Sequence, residues 1–219
     1  MKNNFVALVP VRTGSKRVKN KNFRQFHEEK SLFDIKIDQL KSTKLFKKIY
    51  VSSDSLMVKN LCKKKKVIFL KRKKKYCEDH KHPWHEIHNS ILNSIPGDPY
   101  VAWCLTTAPL FSRFETAITA FKKSKNSDSL VGVLPSKNFI LGVEGKPKNF
   151  NPGCWHPYSQ ELEKNFFITG SIFVAKKSSM LLWKYWFGVK PHLFNLSKVE
   201  SVDVDTMDDF KFAQKLFKL

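Results

Sequence analysis

Carboxylates are scarce in this chain: 19 Asp and Glu stand against 40 Lys and Arg, for a formal net charge of +21. Such an imbalance draws anions, whether nucleotides, nucleic acids or anionic membranes. Cysteine is sparse as well. Cys62, Cys77, Cys104 and Cys154 are far apart, with no CxxC pair, which argues against a disulfide framework and for reduced thiols in a cytoplasmic protein. No stretch reaches the roughly 18 consecutive apolar residues of a spanning helix, so no membrane partner is expected. The start, MKNNFVALVPVRTGSK, has too short an apolar run and no small-residue cleavage site for a secretory leader. Neither GxxxxGK[ST] nor GxGxxG occurs, which excludes a P-loop NTPase and a dinucleotide fingerprint. No Ser-His-Asp or Cys-His arrangement is evident.

What is present is a core and an alternation. With 42% hydrophobic residues and 19 Phe in 219 residues, the chain can bury a sizeable interior. Short runs at 5–11, 47–55, 67–70, 100–109 and 129–135 read as strands, the second ending in hydroxyls and Asp54 and the fourth in a Thr-Thr-Ala-Pro tail. Between them, 31–42, 55–66, 84–95 and 113–124 read as helices, Ser31 capping the first. Trp84, Ile87, Ile91 and Ile95 form an apolar stripe, and Pro96 and Gly97 stop that helix. FFITGSIFVAKK then reads as a strand, SSMLLWKYWF as a helix, and SVDVDTMDDFKFAQKLFKL as strand plus helix. This order predicts an α/β fold with a doubly wound, mostly parallel sheet, in a single domain over 1–219. Residues 137–164 lack periodicity and read as an excursion or lid. Ligands of such sheets lie beyond the carboxyl ends of the strands.

The first such loop is VPVRTGSKRVKNKN, residues 9–22. Gly14 permits close backbone approach or positive φ, Ser15 offers a hydroxyl, and Arg12, Lys16 and Lys21 offer charge, a set suited to phosphates. Near the other end, Val202-Asp203-Val204-Asp205-Thr206 has period two, so a strand would turn Asp203 and Asp205 to one face. Two hard oxygen ligands suit Mg²⁺. The bland reading is that Asp205 or Thr206 caps the last helix, with Asp208 and Asp209 favouring its N-terminus.

The opening loop resembles that of the acylneuraminate cytidylyltransferases, which read P-A-R-x-G-S-K-x-[IL]-x-x-K-N after their first strand. Pro10, Arg12, Gly14, Ser15, Lys16, Lys21 and Asn22 fall in step, with Val11 at the small-residue position. IYVSSDS, LTTAPL, ITGSIFV and VDVDTMDDFKFAQKL are similar to further segments of that family in the same order. The resemblance implies a Rossmann-like nucleotidyltransferase fold and transfer of CMP from CTP to an acidic acceptor, with pyrophosphate released. It also implies a loop around the CTP phosphates (Pro10 to Asn22), Lys71 or Arg72 near the nucleotide, Mg²⁺ on Asp203 and Asp205, and a homodimer formed through an excursion at about 137–190. Arg12, Lys16, Lys21, Asp203 and Asp205 would then carry catalysis.

Four departures cluster on the acceptor side. Leu105 and Phe111 replace the Gln and Arg of Q-P-T-S-P-L-R, Thr169 stands where the family has Asn, and no Arg precedes Gln160. The acceptor-facing candidates are therefore Thr106, Thr107, Gln160, Thr169 and His85, and the acceptor is a sialic-acid-like or other keto-sugar acid. A phosphonate acceptor and a catalytically degenerate nucleotide-binding protein are the alternatives. Ten cations between Lys59 and Lys75 read as a solvated face, with a nucleic-acid-binding module as the weaker reading. In CEDHKHPWHEIH, Cys77, His80, His82, His85 and His88 match no zinc spacing and read as surface or acceptor-facing groups.

Overall fold

Phe5 to Val9 are buried without a break because their strand, β1 (Phe5–Pro10), runs through the middle of a sheet covered on both faces. Phe5, Ala7 and Val9 enter one core layer, and Val6 and Leu8 enter the other. The computed structural model describes residues 4–78 and 81–218.

After β1 come a short hairpin, β2 (Gln25–His27) and β3 (Lys30–Ser31), and helix α1 (Leu32–Ser42). Ser31 caps α1 in a reciprocal box with Asp34. The chain continues through β4 (Ile49–Ser53), α2 (Leu56–Lys64), β5 (Ile68–Lys71), α3 (Trp84–Asn93), β6 (Tyr100–Trp103), α4 (Phe114–Lys123) and β7 (Ser129–Ser136). It closes with β8 (Asn165–Lys176), α5 (Lys177–Trp183), β9 (Pro191–Asn195) and α6 (Met207–Phe217). The seven-stranded sheet has the order β5-β4-β1-β6-β8-β7-β9. β8 runs antiparallel to both β6 and β7, and the remaining pairs are parallel. The mostly parallel, doubly wound α/β class read from the sequence is therefore the fold observed.

Helices α1, α2 and α4 cover one face, supplying Phe33, Val58 and Phe114 among others. Helices α3 and α5 cover the other with Ile91, Leu92 and Met180. A third cluster joins the hairpin to α6: Val18, Phe26, Leu32 and Ile35 pack with Val204, Phe210 and Ala213. No helix among the described residues is long and apolar enough to cross a membrane.

Three expectations change. Residues 202–205 form no strand: the Val204 amide donates to Thr107 in the loop after β6 and no described strand pairs with the segment. Their alternation survives, since Val204 is buried while Asp203 is exposed and Asp205 half-buried. Second, the back half of the expected excursion is not an excursion: β8 lies inside the sheet, with α5 packed on it. Residues 137–164 alone leave the body, with an isolated bridge Leu141–Pro147 and a 3-10 turn at Gly153–Trp155. Third, β9 and the β2–β3 hairpin were not foreseen.

Candidate active site

β1 pairs with β4 on one side and β6 on the other, so connections diverge at its carboxyl end. A crevice opens there. It has a volume of about 690 Å³ and is walled by Pro10 and Val11, the loop that follows them, Arg72, Tyr76, Cys77, Glu78 and His82, the end of β6, and Asp203 with Asp205.

The loop after β1 is held from behind. Val18 is buried in the hairpin–α6 cluster. The backbone turns at Asn20, whose φ is 56°, and the amides of Phe23 and Arg24 both donate to its carbonyl. Asn22 is buried. Its Nδ2 donates to the Arg12 carbonyl at 3.0 Å, and its Oδ1 accepts from Thr106 Oγ1 at 2.8 Å. One amide thus ties both ends of the cation loop to the loop after β6.

The two ends of the chain meet here. Lys21 Nζ donates to the Val204 carbonyl at 2.6 Å and to Asp205 Oδ1 at 3.2 Å, and Arg17 Nη2 donates to the same carboxylate oxygen at 2.9 Å. The Val204 amide donates to the Thr107 carbonyl at 2.8 Å. Asp203 keeps solvent contact as a residue, yet its carboxylate is drawn among the cleft walls. Desolvation first, then repulsion from Asp205 and Asp209, raises its pKa above the ordinary value, against a hydrogen bond from Thr107. Gly170 of β8 leaves that carboxylate room: a Cβ there would lie 3.1 Å from Leu105 Cδ1 and 3.5 Å from Asp203 Oδ1.

Thr206 and Asp209 form a capping box on α6, and this interaction holds the Asp209 carboxyl below its usual pKa. The capping role thus falls to Thr206, while Asp203 and Asp205 face the cleft.

Of the pair Lys71 and Arg72, Arg72 is the one that enters. Its Nη2 donates to the Val11 carbonyl at 2.7 Å and its Nε contacts Cys77 Sγ at 3.0 Å, whereas Lys71 is exposed on the sheet edge. Arg12, Ser15, Lys16, Lys21, Thr106 and Thr107 all line the cleft. Gly14 does not; its φ is not left-handed and a Cβ on it would touch nothing within 4 Å, so neither strain nor crowding within the chain demands glycine.

Three acceptor-side candidates lie away from the cleft. Thr169 is buried in β8, where its hydroxyl donates to the Gly132 carbonyl. Gln160 lies exposed in the 137–164 segment, and His85 lies on the solvent side of α3; neither lines the cleft. Phe111, at the family's Arg position, is wholly buried against Phe114 and Phe194. His80 is outside the described residues. His88 is buried and its pKa lowered by desolvation.

Sequence reading gave no site role to Tyr76, Trp103 or Trp186 and placed Trp84 only in the apolar stripe of its helix, yet all four line the cleft, together with Arg17, Cys77 and His82. The three tryptophans carry no motif and come together only through the fold.

Behind the Thr106–Thr107 loop, Lys36 of α1 is fully buried. Its Nζ donates to the carbonyls of Ala108 at 2.9 Å and Phe111 at 3.2 Å, and burial pulls its pKa down to about 8.

Residues 6–137 match the model of a family described as cytidylyltransferase. The N-acylneuraminate cytidylyltransferase of Streptococcus agalactiae serotype V is 23% identical over 94% of this chain and 51% of its own length. This chain thus spans about half the length of the first curated relatives it matches. A pseudaminic acid cytidylyltransferase of Campylobacter jejuni is 26% identical and covers 100% of this chain and 97% of its own. Among solved structures, a CMP:2-keto-3-deoxy-manno-octonic acid synthetase in complex with CTP superposes with a TM-score of 0.68. It shares 11% identity and covers 98% of both chains.

Proposed function

The chain belongs to the cytidylyltransferase family, and from that premise we propose that it moves CMP from CTP onto a sialic-acid-like or other keto-sugar acid and releases pyrophosphate. The observation that carries the reading is the meeting of Lys21 and Arg17 with Asp205 at the mouth of one cleft. That meeting supports a site in which cations would take a triphosphate and carboxylates a divalent ion.

In this reading an oxygen of the acceptor attacks the α-phosphorus of CTP in line. The bond from that phosphorus to the bridging oxygen breaks, pyrophosphate leaves, and the hydroxyl proton passes to solvent. Arg12, Ser15, Lys16 and Lys21 neutralise and orient the phosphates, and Asn22 keeps the loop in place. Pro10, Val11 and Arg72 border the nucleoside. Arg17 and Lys21, which hold Asp205, turn to phosphate oxygens when CTP binds.

Asp203 and Asp205 are the groups that would hold Mg²⁺. Among the described residues no set of three or more His, Cys, Asp or Glu could hold a metal ion. A two-carboxylate site fits an ion that takes its remaining ligands from substrate phosphates and water. When bound, it supplies charge neutralisation at the reacting phosphate.

A homodimer and a cytoplasmic setting complete the proposal. Leu141, Val143, Trp155 and Tyr158 in the 137–164 segment and Phe167 and Ile168 of β8 are exposed, an apolar surface that a second copy would cover. Light scattering that returns only monomer at micromolar concentration counts against this pairing.

The main test is pyrophosphate release with each of the four NTPs against a panel of sugar acids. CTP-dependent release that falls at least a hundredfold in Asp203→Asn and Asp205→Asn is expected. Undiminished release in both variants refutes the metal assignment. Binding of CTP without release across the panel refutes transfer and favours a degenerate nucleotide-binding protein.

A further inference from the structure

Folding divides the cations between Lys59 and Lys75 into separate groups. No Asp or Glu occurs from Ser55 to Cys77, so nothing within the run offsets them. Lys65 is tied to Asp34 and Asp38, and Arg72 turns inward to the Val11 carbonyl. The other lysines of the run are exposed, and none of them is in an ion pair among the described residues. Lys63 and Lys64 end α2 and Lys66 precedes β5, so these three lie at the amino end of that strand. Lys73, Lys74 and Lys75 follow its carboxyl end, where a 3-10 turn runs from Lys74 to Cys77. The strand between the two groups is four residues long, about 13 Å of extended chain.

β5 runs parallel to β4, and β4 to β1, so the carboxyl end of β5 is the cleft end of the sheet. The second group therefore stands at the mouth. Its chain neighbours Arg72, Tyr76, Cys77 and Glu78 line the cavity, and Lys75 Nζ lies 4.8 Å from the centroid of the Tyr76 ring. Lys74 is within electrostatic reach of the same wall: the Glu78 carboxyl is held below its ordinary pKa first by Lys81, 2.7 Å away, and further by Lys74. The loop after β1 adds Arg12, Lys16, Arg17 and Lys21 to this cavity. Lysines along an edge strand also discourage pairing between sheets, but that role is indifferent to which end of β5 they occupy.

Resting on the reading of this cleft as a cytidylyltransferase site, we propose that Lys73, Lys74 and Lys75 form a guiding surface for the triphosphate of CTP. They speed its capture and do not hold it once it is bound. Rim charges act at a distance, so they govern association and its salt dependence more than dissociation. In 0.1 M salt the field of an exposed charge fades over about 10 Å. The mouth group lies within that reach of the cavity, and the group at the amino end of β5 lies farther off by the length of the strand. Position relative to the cleft, rather than the net charge of +21, is what makes these three lysines effective.

The test is stopped-flow binding of CTP to the full chain without divalent ion, read from tryptophan fluorescence, since Trp84, Trp103 and Trp186 line the cleft. Two triple variants lose the same charge: Lys73→Gln with Lys74→Gln and Lys75→Gln, and Lys63→Gln with Lys64→Gln and Lys66→Gln. All six side chains are exposed, so both variants should fold, which circular dichroism checks. In about 0.1 M salt the mouth variant is expected to associate about fivefold more slowly or worse, with dissociation changed less than about twofold. The distant variant should change association less than about twofold, and about 1 M salt, where the screening length is about 3 Å, should erase the difference. Equal slowing in both variants overturns the inference in favour of net charge, and slowing that persists in 1 M salt overturns it in favour of direct contact. No slowing in the mouth variant overturns it outright. Pyrophosphate release is scored separately. A chain whose mouth variant captures CTP slowly but which transfers nothing keeps this inference and loses the transfer reading. One that transfers CMP with equal capture rates in all three proteins does the reverse, and a wild type that binds no CTP loses both.

Discussion

Lys36→Met isolates one buried charge and the loop it supports. The ammonium is fully buried and caps the carbonyls of Ala108 and Phe111, just past Thr106 and Thr107. Its pKa falls from 10.5 to about 8 on folding. Below pH 8 the lysine is protonated in both states and the folded chain carries the desolvation cost. Between 8 and 10.5 the unfolded chain binds the proton and the folded chain does not, so this group makes stability rise with pH. The rise is about 1 kcal/mol between pH 7 and 9, and about 3 kcal/mol over the whole window. Two cysteines oppose it. Burial lifts Cys62 from 9.0 to about 11 and Cys104 to about 12, so the unfolded chain loses those protons first and stability falls as pH passes 9. Methionine keeps the length of the side chain and removes the titration, while leaving two carbonyls without a donor at about 1–3 kcal/mol each.

The assay is urea unfolding of wild type and variant at half-unit steps from pH 7 to 9, under reducing conditions. Subtracting the two curves cancels the cysteine contributions to first order. The difference, wild type minus variant, should grow by about 1 kcal/mol across the range. A flat difference means that Lys36 does not change protonation between the states in this window, and the account of its burial fails.

Asn22→Leu removes the amide that links Arg12 to Thr106. A loss of about 1–3 kcal/mol in urea unfolding is expected, together with at least tenfold weaker CTP binding by calorimetry. Unchanged CTP affinity would show that the bridge does not order the loop. Gly170→Ala places a methyl carbon 3.1 Å from Leu105 and 3.5 Å from Asp203. The fold, read by circular dichroism, should persist while kcat falls more than KM rises, and an unaltered kcat would disconnect Gly170 from the carboxylate. Thr206→Ala breaks the capping box on α6 and should cost about 1 kcal/mol of stability; a change within error would mean that Asp209 alone suffices.

The sheet was legible because its inner strands are short apolar runs bounded by turn residues, and burial on both faces leaves that composition little alternative. β9 was not legible. PHLFN carries no apolar run, and it becomes a strand only because β7 offers it a parallel edge. The 202–205 segment had the right alternation and the wrong conclusion, since period two records which side is buried and not whether a neighbour exists to pair with. At the cleft, groups whose chemistry is announced by charge were found from sequence, and groups that act by shape were not. Arg12, Lys16, Lys21, Asp203 and Asp205 all line the cavity, whereas Trp84, Trp103 and Trp186 sit 19 and 83 positions apart in the chain. Thr169 misled because a hydroxyl at a position where the family has an amide looks functional. Its nearest acceptor is a backbone carbonyl across the sheet.

The separation between the two halves of the cleft has a physical cause in the third core cluster. Val18 and Val204 are buried in the same group of side chains, under α6 and the hairpin. Apolar packing, rather than the ion pairs above it, therefore holds the amino-terminal loop against the carboxyl-terminal acids. Both sides of that contact carry exposed or half-exposed charge: Arg17 is 66% and Asp205 44% exposed at the side chain. Pairs so open to solvent contribute little to stability, and they can exchange partners without unfolding anything. A site built this way keeps its geometry through Val18, Val204 and Phe210 while its charges remain free to turn toward an anion. The part of the cavity lined by Trp103 and Trp186 is built in the opposite manner, with rings braced by His88 and Phe173. In the reading proposed above, the phosphates would meet the charged part of the cavity, whose place the buried Val18 and Val204 fix, and loosening that packing with Val18→Ala should weaken CTP binding measured by calorimetry.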